Sequence, residues 1–305
     1  MRIVFFGSGA FGLPTLKRLH SMCDVRCVVS QPDRPAGRQR TLSPTPISEE
    51  AMQLGLPLER VANVNEAPWV ERLGAIEADA WVVIAFGQKL SSALLDGRFA
   101  INLHASLLPR WRGAAPIHHA IMAGDSCTGI SVITLDQVMD GGLVLEQIRQ
   151  PIAPTDTTGR LHDVLAELGP DAVGRVLEAH PHSGSKGQLQ DPKLVTLAPR
   201  LARSDAVLDL EGDCVTQRNY INGLSPWPGC RLLVDGVELR VLQAGPSPEG
   251  AHSPPGTLSP AGILGLGNGS VQLLEVQGVG GRVLSFDTWA NGRRFNAPIS
   301  VDVPK

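Results

Sequence analysis

The stretch RIVFFGSGAFGLP (residues 2–14) joins an apolar run, a glycine-rich turn and a proline at the start of a helical segment. Four more short apolar runs follow, separated by helix-like segments, at 25–29, 81–86, 101–103 and 130–135. Strands of this kind that alternate with helices are typical of a parallel sheet covered on both faces. The sequence therefore predicts an α/β fold built on a Rossmann-like, open, mostly parallel sheet.

Prolines and glycines indicate where the helices of this first domain begin and end. Pro14, Pro46 and Pro116 mark predicted helix starts, because proline lacks an N–H that would have no intrahelical partner there. From Thr158 to Ala179 apolar residues recur at helical spacing, and Gly169-Pro170 predicts a break in that helix. The polar, Gly- and Ser-containing stretch 180–190 indicates a linker or an exposed connection. We predict a first domain over 1–190, a linker over 191–204 and a second domain over 205–305.

The second domain has a different pattern, in which strands are joined by tight turns. Asp235-Gly236 lies at the centre of the run 231–242, and Asn268-Gly269 lies within the run 263–276. Both dipeptides are strong signals for two-residue β-hairpins. A small, OB-like β-barrel is therefore the expected architecture of this domain.

Composition excludes several classes of protein. Of the 305 residues, 43% are hydrophobic and 19% charged, which is typical of a soluble globular protein. No apolar run approaches the ~20 residues that span a bilayer, and no signal peptide is recognisable, so we expect a cytoplasmic protein without a membrane partner. The five cysteines are scattered, which favours neither a disulfide framework nor a zinc ribbon. A net charge of −3 argues against general nucleic-acid coating, and no DNA partner is expected.

The first turn also matches a dinucleotide-binding fingerprint. Gly7, Gly9 and Gly12 follow a strand and open a helix, and Asp33 lies about the right distance downstream. Asp33, however, falls inside the turn-rich stretch QPDRPAGR (31–38) and not at the end of a second strand, and Pro14 comes just after the last glycine. A structural role for the glycines in a tight bend is therefore the favoured interpretation, with nicotinamide cofactor binding as the alternative.

Three polar residues stand where an α/β sheet usually places its ligand site, at the carboxyl ends of strands. Asn102 and His104 are two apart on an extended segment, so their side chains point to the same side, about 6 to 7 Å apart. Asp140 follows the strand that ends near Leu135, and adjacent strand ends are expected to bring it to the other two. Gly141 and Gly142 allow the backbone there to approach a ligand closely.

The combination suits acyl transfer to an amine. Such a reaction needs a donor for the developing oxyanion, a group that moves a proton, and a charge that controls the ionisation of that group. Taken singly, Asn-x-His is more often structural, and Asp before glycine usually makes a turn. No nucleophile-elbow or HExxH pattern competes, so direct transfer without a covalent enzyme intermediate or a metal is the simplest mechanism.

At these residues the chain resembles a known family. The stretch SLLPRWRGAAPI (106–117), with Asn102 and His104 before it and Asp140 after it, is similar to the methionyl-tRNA formyltransferases. The similarity extends to QPDRPAG (31–37), WVVIAFG (81–87) and SPWPG (225–229), and so covers nearly the whole chain. The resemblance implies transfer of a formyl group from 10-formyltetrahydrofolate to initiator methionyl-tRNA, with a C-terminal barrel that helps to hold the tRNA.

Site residues follow from the resemblance. It implies that Asn102 and His104 stabilise the oxyanion while Asp140 orients His104 and helps to move the proton. The implied folate contacts are Ser106, Leu107, Leu108, Pro109, Ile84, Phe86 and Gly87. The implied tRNA contacts are Arg34, Arg38, Arg40, Arg110 and Arg112. No metal is implied.

Two features depart from the family pattern. Leu143 stands three residues after Asp140, where the family usually has a second acidic residue. From residue 201 onward there are eight basic and ten acidic residues, a net charge of −2, which is a poor electrostatic signature for a tRNA-binding barrel. The three polar residues indicate the reaction, and the resemblance indicates the acceptor.

Two alternatives remain. A formyltransferase acting on a small amine, such as a sugar nucleotide or glycinamide ribonucleotide, would share the Asn, His and Asp chemistry but not the WRGAAP (111–116) or SPWPG (225–229) segments. A non-catalytic RNA-binding or NAD-sensing protein on the same sheet is the alternative from another class. Retention of all three polar residues argues against it.

Overall fold

The computed structural model describes residues 1–36, 41–183 and 186–304. The chain divides into two compact units that are interleaved in sequence. The N-terminal unit comprises Met1–Arg112, Gly129–Gln150 and His162–Leu197, and the C-terminal unit comprises Gly113–Thr128, Pro151–Leu161 and Ala198–Lys305. Segments 113–128 and 151–161 thus pack with the later part of the chain. The contiguous ranges 1–190, 191–204 and 205–305 stay a prediction.

Ten strands lie in the described residues up to position 151. They are β1 (Arg2–Gly7), β2 (Asp24–Ser30), β3 (Arg34–Ala36), β4 (Thr41–Ser43), β5 (Leu58–Arg60), β6 (Ala80–Ile84), β7 (Ala100–His104), β8 (Arg112–Gly113), β9 (Cys127–Thr134) and β10 (Val144–Pro151). Seven of them form one sheet in the order β10-β9-β7-β6-β1-β2-β5. Neighbours from β7 to β5 run parallel, whereas β9 runs antiparallel to β7. The predicted Rossmann-like, mostly parallel sheet is confirmed.

The order of strands creates a switch point between β1 and β6, because the chain leaves β1 for one side of the sheet and later returns to the other. Open α/β sheets bind ligands outside the carboxyl ends of their strands at such a point. The centre of the sheet is apolar on both faces: Phe5 and Phe6 on β1 are fully buried, and the Phe6 ring lies 4.9 Å from that of Trp81. This packing makes the centre of the sheet a rigid support for the loops at its carboxyl edge.

Six α-helices accompany these strands in the described residues up to position 183. They are α1 (Leu13–Met22), α2 (Pro46–Gln53), α3 (Ala67–Gly74), α4 (Ser92–Leu95), α5 (Pro116–Met122) and α6 (Thr158–Ser183). Proline lies in the first turn of α1, α2 and α5, which confirms the three predicted starts. Thr45 caps α2, since its hydroxyl accepts a hydrogen bond from the backbone N–H of Ser48 at 3.1 Å.

The predicted break at Gly169-Pro170 is wrong, because α6 continues through both residues. A Cβ on residue 169 would lie 2.6 Å from the Thr15 hydroxyl and 2.7 Å from a methyl carbon of Leu103. The glycine is thus required for close packing and not for a turn. Pro170 costs the helix one hydrogen bond, but burial of the apolar face of the helix, including Leu165 and Val173, outweighs that local loss.

The described residues after position 183 form a barrel, two α-helices and two short strands outside the closed barrel. The elements are β11 (Leu197–Ala198), α7 (Cys214–Gly223), β12 (Cys230–Val234), β13 (Val237–Pro246), β14 (Thr257–Leu258), β15 (Ile263–Leu266), β16 (Gly269–Gly278), β17 (Val283–Ser285), α8 (Phe286–Gly292) and β18 (Ile299–Asp302). The strand order is β13-β12-β18-β14-β15-β16-β17, and pairing of β13 with β16 closes six strands into an antiparallel barrel. The predicted C-terminal barrel is confirmed.

The two hairpin signals differ in outcome. Asp235 and Gly236 join β12 to β13 with φ angles of 53° and 70°, as a type I′ turn requires, and Val234 pairs with Val237. In the second hairpin Gly269 already pairs with Leu266, so the turn residues are Gly267 and Asn268. The predicted register of that turn is therefore wrong by one residue. A Cβ at position 267 would lie 2.0 Å from the Glu211 carbonyl oxygen, so backbone packing requires glycine there.

Candidate active site

The glycine turn after β1 bonds to the strand end beside it. The backbone N–H groups of Ser8 and Gly9 both donate to the carbonyl oxygen of Ala85 at 3.2 Å, and the Ser8 hydroxyl donates to the carbonyl oxygen of Phe86. A Cβ on Gly7 would meet the Phe5 ring at 2.7 Å. These N–H groups, which a pyrophosphate would need, are thus engaged in joining the ends of β1 and β6, and the turn has a structural role.

Strand β7 carries two of the three candidate catalytic residues. It lies between β6 and β9, where Asn102 pairs with Val83 on one side and with Ile133 on the other. Asn102 is half-buried, and within the described ranges its side-chain amide has no hydrogen-bond partner. Its two N–H donors therefore remain available to a ligand. His104, two residues further on, lies on the same face of the strand and is only 6% exposed.

One ring nitrogen of His104 is held by the backbone. Nε2 lies 2.9 Å from the carbonyl oxygen of Trp111, and Trp111 is in the left-handed region with φ 63°. The Trp111 N–H donates to the Thr196 hydroxyl at 2.9 Å, which holds this peptide in place. Because a carbonyl oxygen only accepts, Nε2 carries the proton of this hydrogen bond, and in the neutral ring Nδ1 is the nitrogen with an acceptor lone pair.

Asp140 lies on the Nδ1 side of His104. The Asp140 carboxylate Oδ1 is 3.7 Å from Nδ1, and the two side chains are 14% and 7% exposed. This distance suits an ion pair when the ring is protonated, but it is longer than a hydrogen bond. The structure thus brings His104 and Asp140 together in a largely buried environment on the face of β7 that Asn102 shares.

The route by which Asp140 reaches His104 differs from the one expected. Since β9 is antiparallel to β7, its end at Thr134 lies beside Ile101, at the start of β7. The chain then folds back: Asp140 is left-handed with φ 52°, and the Thr134 N–H donates to the Leu143 carbonyl oxygen at 2.9 Å. A Cβ on Gly142 would lie only 1.8 Å from the Thr134 carbonyl oxygen. A returning loop, and not an adjacent parallel strand end, delivers the carboxylate.

The loop 106–109 is held by hydrogen bonds to two side chains, one on β9 and one on β10. The Ser131 hydroxyl donates to the Ser106 carbonyl oxygen at 2.6 Å and accepts from the Leu108 N–H at 3.0 Å. The Gln147 amide donates to the Leu108 carbonyl oxygen at 2.9 Å and to the Ser131 hydroxyl at 2.8 Å. The Leu108–Pro109 peptide is cis. This network holds the backbone of the loop in one conformation.

The expected folate contacts therefore divide into two groups. Ser106 and Leu108 are buried, and the Ser106 hydroxyl donates to the Arg110 carbonyl oxygen at 2.6 Å, whereas Leu107 and Pro109 remain partly accessible. In the second segment, Ile84 and Phe86 are buried in the core and Gly87 is exposed.

Ala85 was not singled out from the sequence. It is exposed between these two buried side chains and is left-handed with φ 47°. Its position at the end of β6 was the one signal that could have identified it. Accessible surface at this strand end thus belongs to Ala85 and Gly87, while their apolar neighbours form the support beneath.

The five expected tRNA contacts lie in different surroundings. Arg34 is exposed on β3 and donates to the Gln31 side chain, while Arg38 and Arg40 lie outside the described residues. Arg110 is exposed, and its guanidinium carbon lies 4.4 Å from the centre of the Trp111 ring. Arg112 is only half-exposed, and its Nε and Nη2 donate to the Gln190 side-chain oxygen at 3.0 and 2.7 Å. Arg112 is thus engaged within the protein.

In the described ranges no group of three or more His, Cys, Asp or Glu side chains is arranged to hold a metal ion. None of the helices found in those ranges combines the length and apolar character needed to cross a bilayer.

Comparison with known proteins identifies the family. Residues 1–177 match the family model described as formyl transferase, and residues 200–294 match the formyl transferase C-terminal domain. The methionyl-tRNA formyltransferase of Methylococcus capsulatus is 37% identical over 297 residues, which cover 95% of this chain and 96% of that protein. The chain belongs to the methionyl-tRNA formyltransferase family. This formyltransferase thus matches its relative along nearly the whole of both chains.

Solved structures share the fold at lower identity. HypX from Aquifex aeolicus, solved in complex with tetrahydrofolic acid, has a TM-score of 0.64 and 16% identity, covering 95% of this formyltransferase but only 46% of the HypX chain. An N-formyltransferase from Helicobacter canadensis, solved with folinic acid and dTDP-3-aminofucose, has a TM-score of 0.68 and 11% identity, covering 89% and 98% of the two chains. At these identities the comparison supports the fold of this formyltransferase alone.

Proposed function

We propose that this chain transfers the formyl group of 10-formyltetrahydrofolate to the α-amino group of initiator methionyl-tRNA, in the cytoplasm, for translation initiation. The observation that carries the proposal is the combination of the Asn102 amide and the His104–Asp140 pair, 3.7 Å apart, at the carboxyl edge of the sheet. The name shared by the relatives supports the choice of methionyl-tRNA as acceptor.

The first step is attack of the neutral α-amine on the formyl carbon. A bond forms between the amine nitrogen and that carbon, and the formyl oxygen becomes an oxyanion in a tetrahedral intermediate. Asn102 donates an N–H group to this oxygen, and His104, once protonated, adds its positive charge. Preorganised donors of this kind act at the moment when charge develops, and loss of one typically costs ~10² to 10³ in rate.

Proton movement completes the transfer. The attacking nitrogen becomes positively charged and must lose a proton, while the folate nitrogen must gain one before it leaves. His104 accepts the first proton at Nδ1, because its Nε2–H is donated to Trp111, and Asp140 stabilises the resulting imidazolium. The bond between the formyl carbon and the folate nitrogen then breaks, and the proton ends on that nitrogen, so no metal or covalent enzyme intermediate takes part.

The two substrates approach this centre from different surfaces. The folate contacts the accessible Leu107, Pro109, Ala85 and Gly87, which buried neighbours hold in position. Arg34 and Arg110, both exposed, contact phosphates of the tRNA. Phosphate contacts of this kind make binding dependent on salt concentration.

The experiment that tests the proposal measures transfer from 10-formyltetrahydrofolate with a labelled formyl group. Acceptors are charged initiator tRNA, charged elongator tRNA and small amines such as amino sugar nucleotides. We expect formylation of initiator methionyl-tRNA. Formylation of small amines alone would overturn the acceptor, and the absence of transfer to every acceptor would favour a binding protein over an enzyme.

A matched pair of variants tests the assignment of Asn102. Asn102→Ala is expected to lower kcat by about 10² to 10³. Asn63→Ala makes the same change in an exposed turn, where the Asn63 side chain accepts from the Asn65 N–H, and should leave kcat unchanged. Equal turnover of the two variants, with both folded by circular dichroism, would contradict the role given to Asn102.

A further inference from the structure

Gln190 joins the two loops that flank the candidate catalytic pair. Its Nε2 donates to the Asp140 carbonyl oxygen at 2.7 Å and to the Gly142 carbonyl oxygen at 2.8 Å. Its Oε1 accepts two hydrogen bonds from Arg112, from Nε at 3.0 Å and from Nη2 at 2.7 Å. A single half-buried side chain therefore spans from the loop that presents the catalytic carboxylate to the loop that contains Trp111.

Partner chemistry determines the orientation of the Gln190 amide. Arg112 has only donors, and the two carbonyl oxygens only accept, so the nitrogen must face the Asp140 loop and the oxygen must face Arg112. Both donors and both acceptor positions of the amide are then used. A side chain with all four hydrogen bonds made is held in one geometry, and it restrains the groups to which it is bonded.

The hydrogen bonds from Gln190 restrain the backbone of the loop at Asp140 itself. Asp140 is in the left-handed region, which is unfavourable for a residue other than glycine, and its Oδ1 stands 3.7 Å from His104 Nδ1. On one side the loop is closed by bonds between Thr134 and Leu143, at 2.9 Å. Gln190 binds the carbonyl oxygens of the residue that carries the carboxylate and of the second residue after it.

We propose that Gln190 is a positioning residue for formyl transfer, which holds the backbone of Asp140 so that its carboxylate stays aligned with His104. The inference rests on the proposed function and adds a residue to it. The stretch around Gln190 has the composition of a linker, and Gln190 is 50 residues from Asp140 in sequence. The same amide also binds Arg112, the residue after Trp111. The Trp111 carbonyl oxygen in turn accepts a hydrogen bond from the other side of the His104 ring.

Two substitutions separate the two ends of the amide. Gln190→Met keeps the length of the side chain and removes all four hydrogen bonds. Gln190→Glu keeps an acceptor for Arg112 but has no N–H for the Asp140 and Gly142 carbonyl oxygens. We expect both to lower kcat by about 10- to 100-fold, since a misplacement of ~1 Å can cost 10² in rate, with little change in folate affinity. A wild-type kcat for Gln190→Glu would overturn the proposal, because Arg112 would then be the only partner that matters.

Gln188→Met is the matched control. Gln188 lies two residues away on the same segment and has an exposed side chain. Its backbone N–H and carbonyl oxygen bond to Val144, and these bonds do not involve the side chain that is changed. We expect wild-type kcat and thermal stability for this variant. A kcat of Gln190→Met equal to that of Gln188→Met would overturn the proposal.

A double-mutant cycle distinguishes positioning from general loss of structure. If Gln190 acts through Asp140, Gln190→Met should lower kcat by less than about threefold when Asp140 is already Asn, because residues that act as a unit are not additive. Equal losses in both backgrounds would overturn the proposal. The proposed function is tested separately: absence of transfer by the wild-type chain to any acceptor would reject that function, whereas an active wild type with an additive cycle would reject only the role of Gln190.

Discussion

The substitution Gly142→Ala tests whether the folded-back loop controls catalysis. A Cβ at residue 142 would lie 1.8 Å from the Thr134 carbonyl oxygen, and Cβ atoms essentially never come closer than 3.0 Å to another atom. Either β9 or the loop must therefore move by about 1.2 Å, the difference between these distances. Thr134 ends a strand that lies between β10 and β7, and residues 131–134 of that strand pair with β7, so we expect the loop that carries Asp140 to move.

A displacement of this size should lower kcat strongly while the protein still folds. A shift of ~1 Å at a reacting group can cost about 10² in rate, and we expect kcat to fall by that factor. Overpacking of a tight site typically costs 1 to 3 kcal/mol, so the free energy of unfolding should fall by about that amount and leave a folded protein. Steady-state formylation and urea unfolding measure the two quantities.

Gly174→Ala serves as the control. It is the same chemical change within α6, where an added Cβ meets no atom outside the helix within 4 Å. Alanine is favoured over glycine in a helix by about 1 kcal/mol, so this variant should be slightly more stable with unchanged kcat. A wild-type kcat for Gly142→Ala, or an equal loss of activity in Gly174→Ala, would refute control of catalysis by this loop.

Four further predictions concern other parts of the molecule. Ser131→Ala leaves the buried Leu108 N–H without its acceptor. We expect folate binding, measured by ligand titration, to weaken about tenfold, and the free energy of unfolding in urea to fall by roughly 1 to 3 kcal/mol. An unchanged folate Kd would contradict the anchoring role. Arg110→Ala should raise the KM for tRNA and flatten its dependence on salt without changing folate affinity, and an unchanged salt slope would exclude a phosphate contact. Burial raises the pKa of Cys230 to about 12 and that of Cys27 to about 11, so alkylation at pH 8 followed by mass spectrometry should leave both unmodified in the folded protein. Because the folded-state pKa of Cys230 is raised from 9.0 to about 12, the protonated thiol contributes its full stabilisation below pH 9, and this is lost as the pH rises towards 12. The free energy of unfolding should therefore be lower at pH 11 than at pH 8.

Local patterns in the sequence predicted much of the fold. The apolar run before Gly7 forms β1, an inner strand of the sheet, Pro14 lies in the first turn of the first α-helix, and Asp235-Gly236 forms a type I′ hairpin. Each of these depends on residues within a few positions of one another, where steric preference decides the backbone. The predicted break at Pro170 was wrong because burial of the helix face, a tertiary effect, exceeded the local cost.

The candidate site was only partly accessible to the same reasoning. Alternation along an extended segment places Asn102 and His104 on one face, whereas Ile84 and Phe86, expected to contact folate, are buried in the core. Burial depends on which elements pack above a strand end, and the spacing of residues in one segment does not contain that information. Ala85 and Gly87 are exposed between and beside them because left-handed backbone turns that segment outward.

Local periodicity and residue identity were enough to predict most strands and helices and the chemical types at the carboxyl edge of the sheet. How those chemical types meet depends on tertiary contacts. The antiparallel course of β9 requires Asp140 to return through a tight loop, the Trp111 carbonyl oxygen selects the ring nitrogen of His104 that carries the proton, and Gln190 binds the loop from 50 residues away. These contacts arise from chain reversal and packing over long separations, where no local preference distinguishes one partner from another.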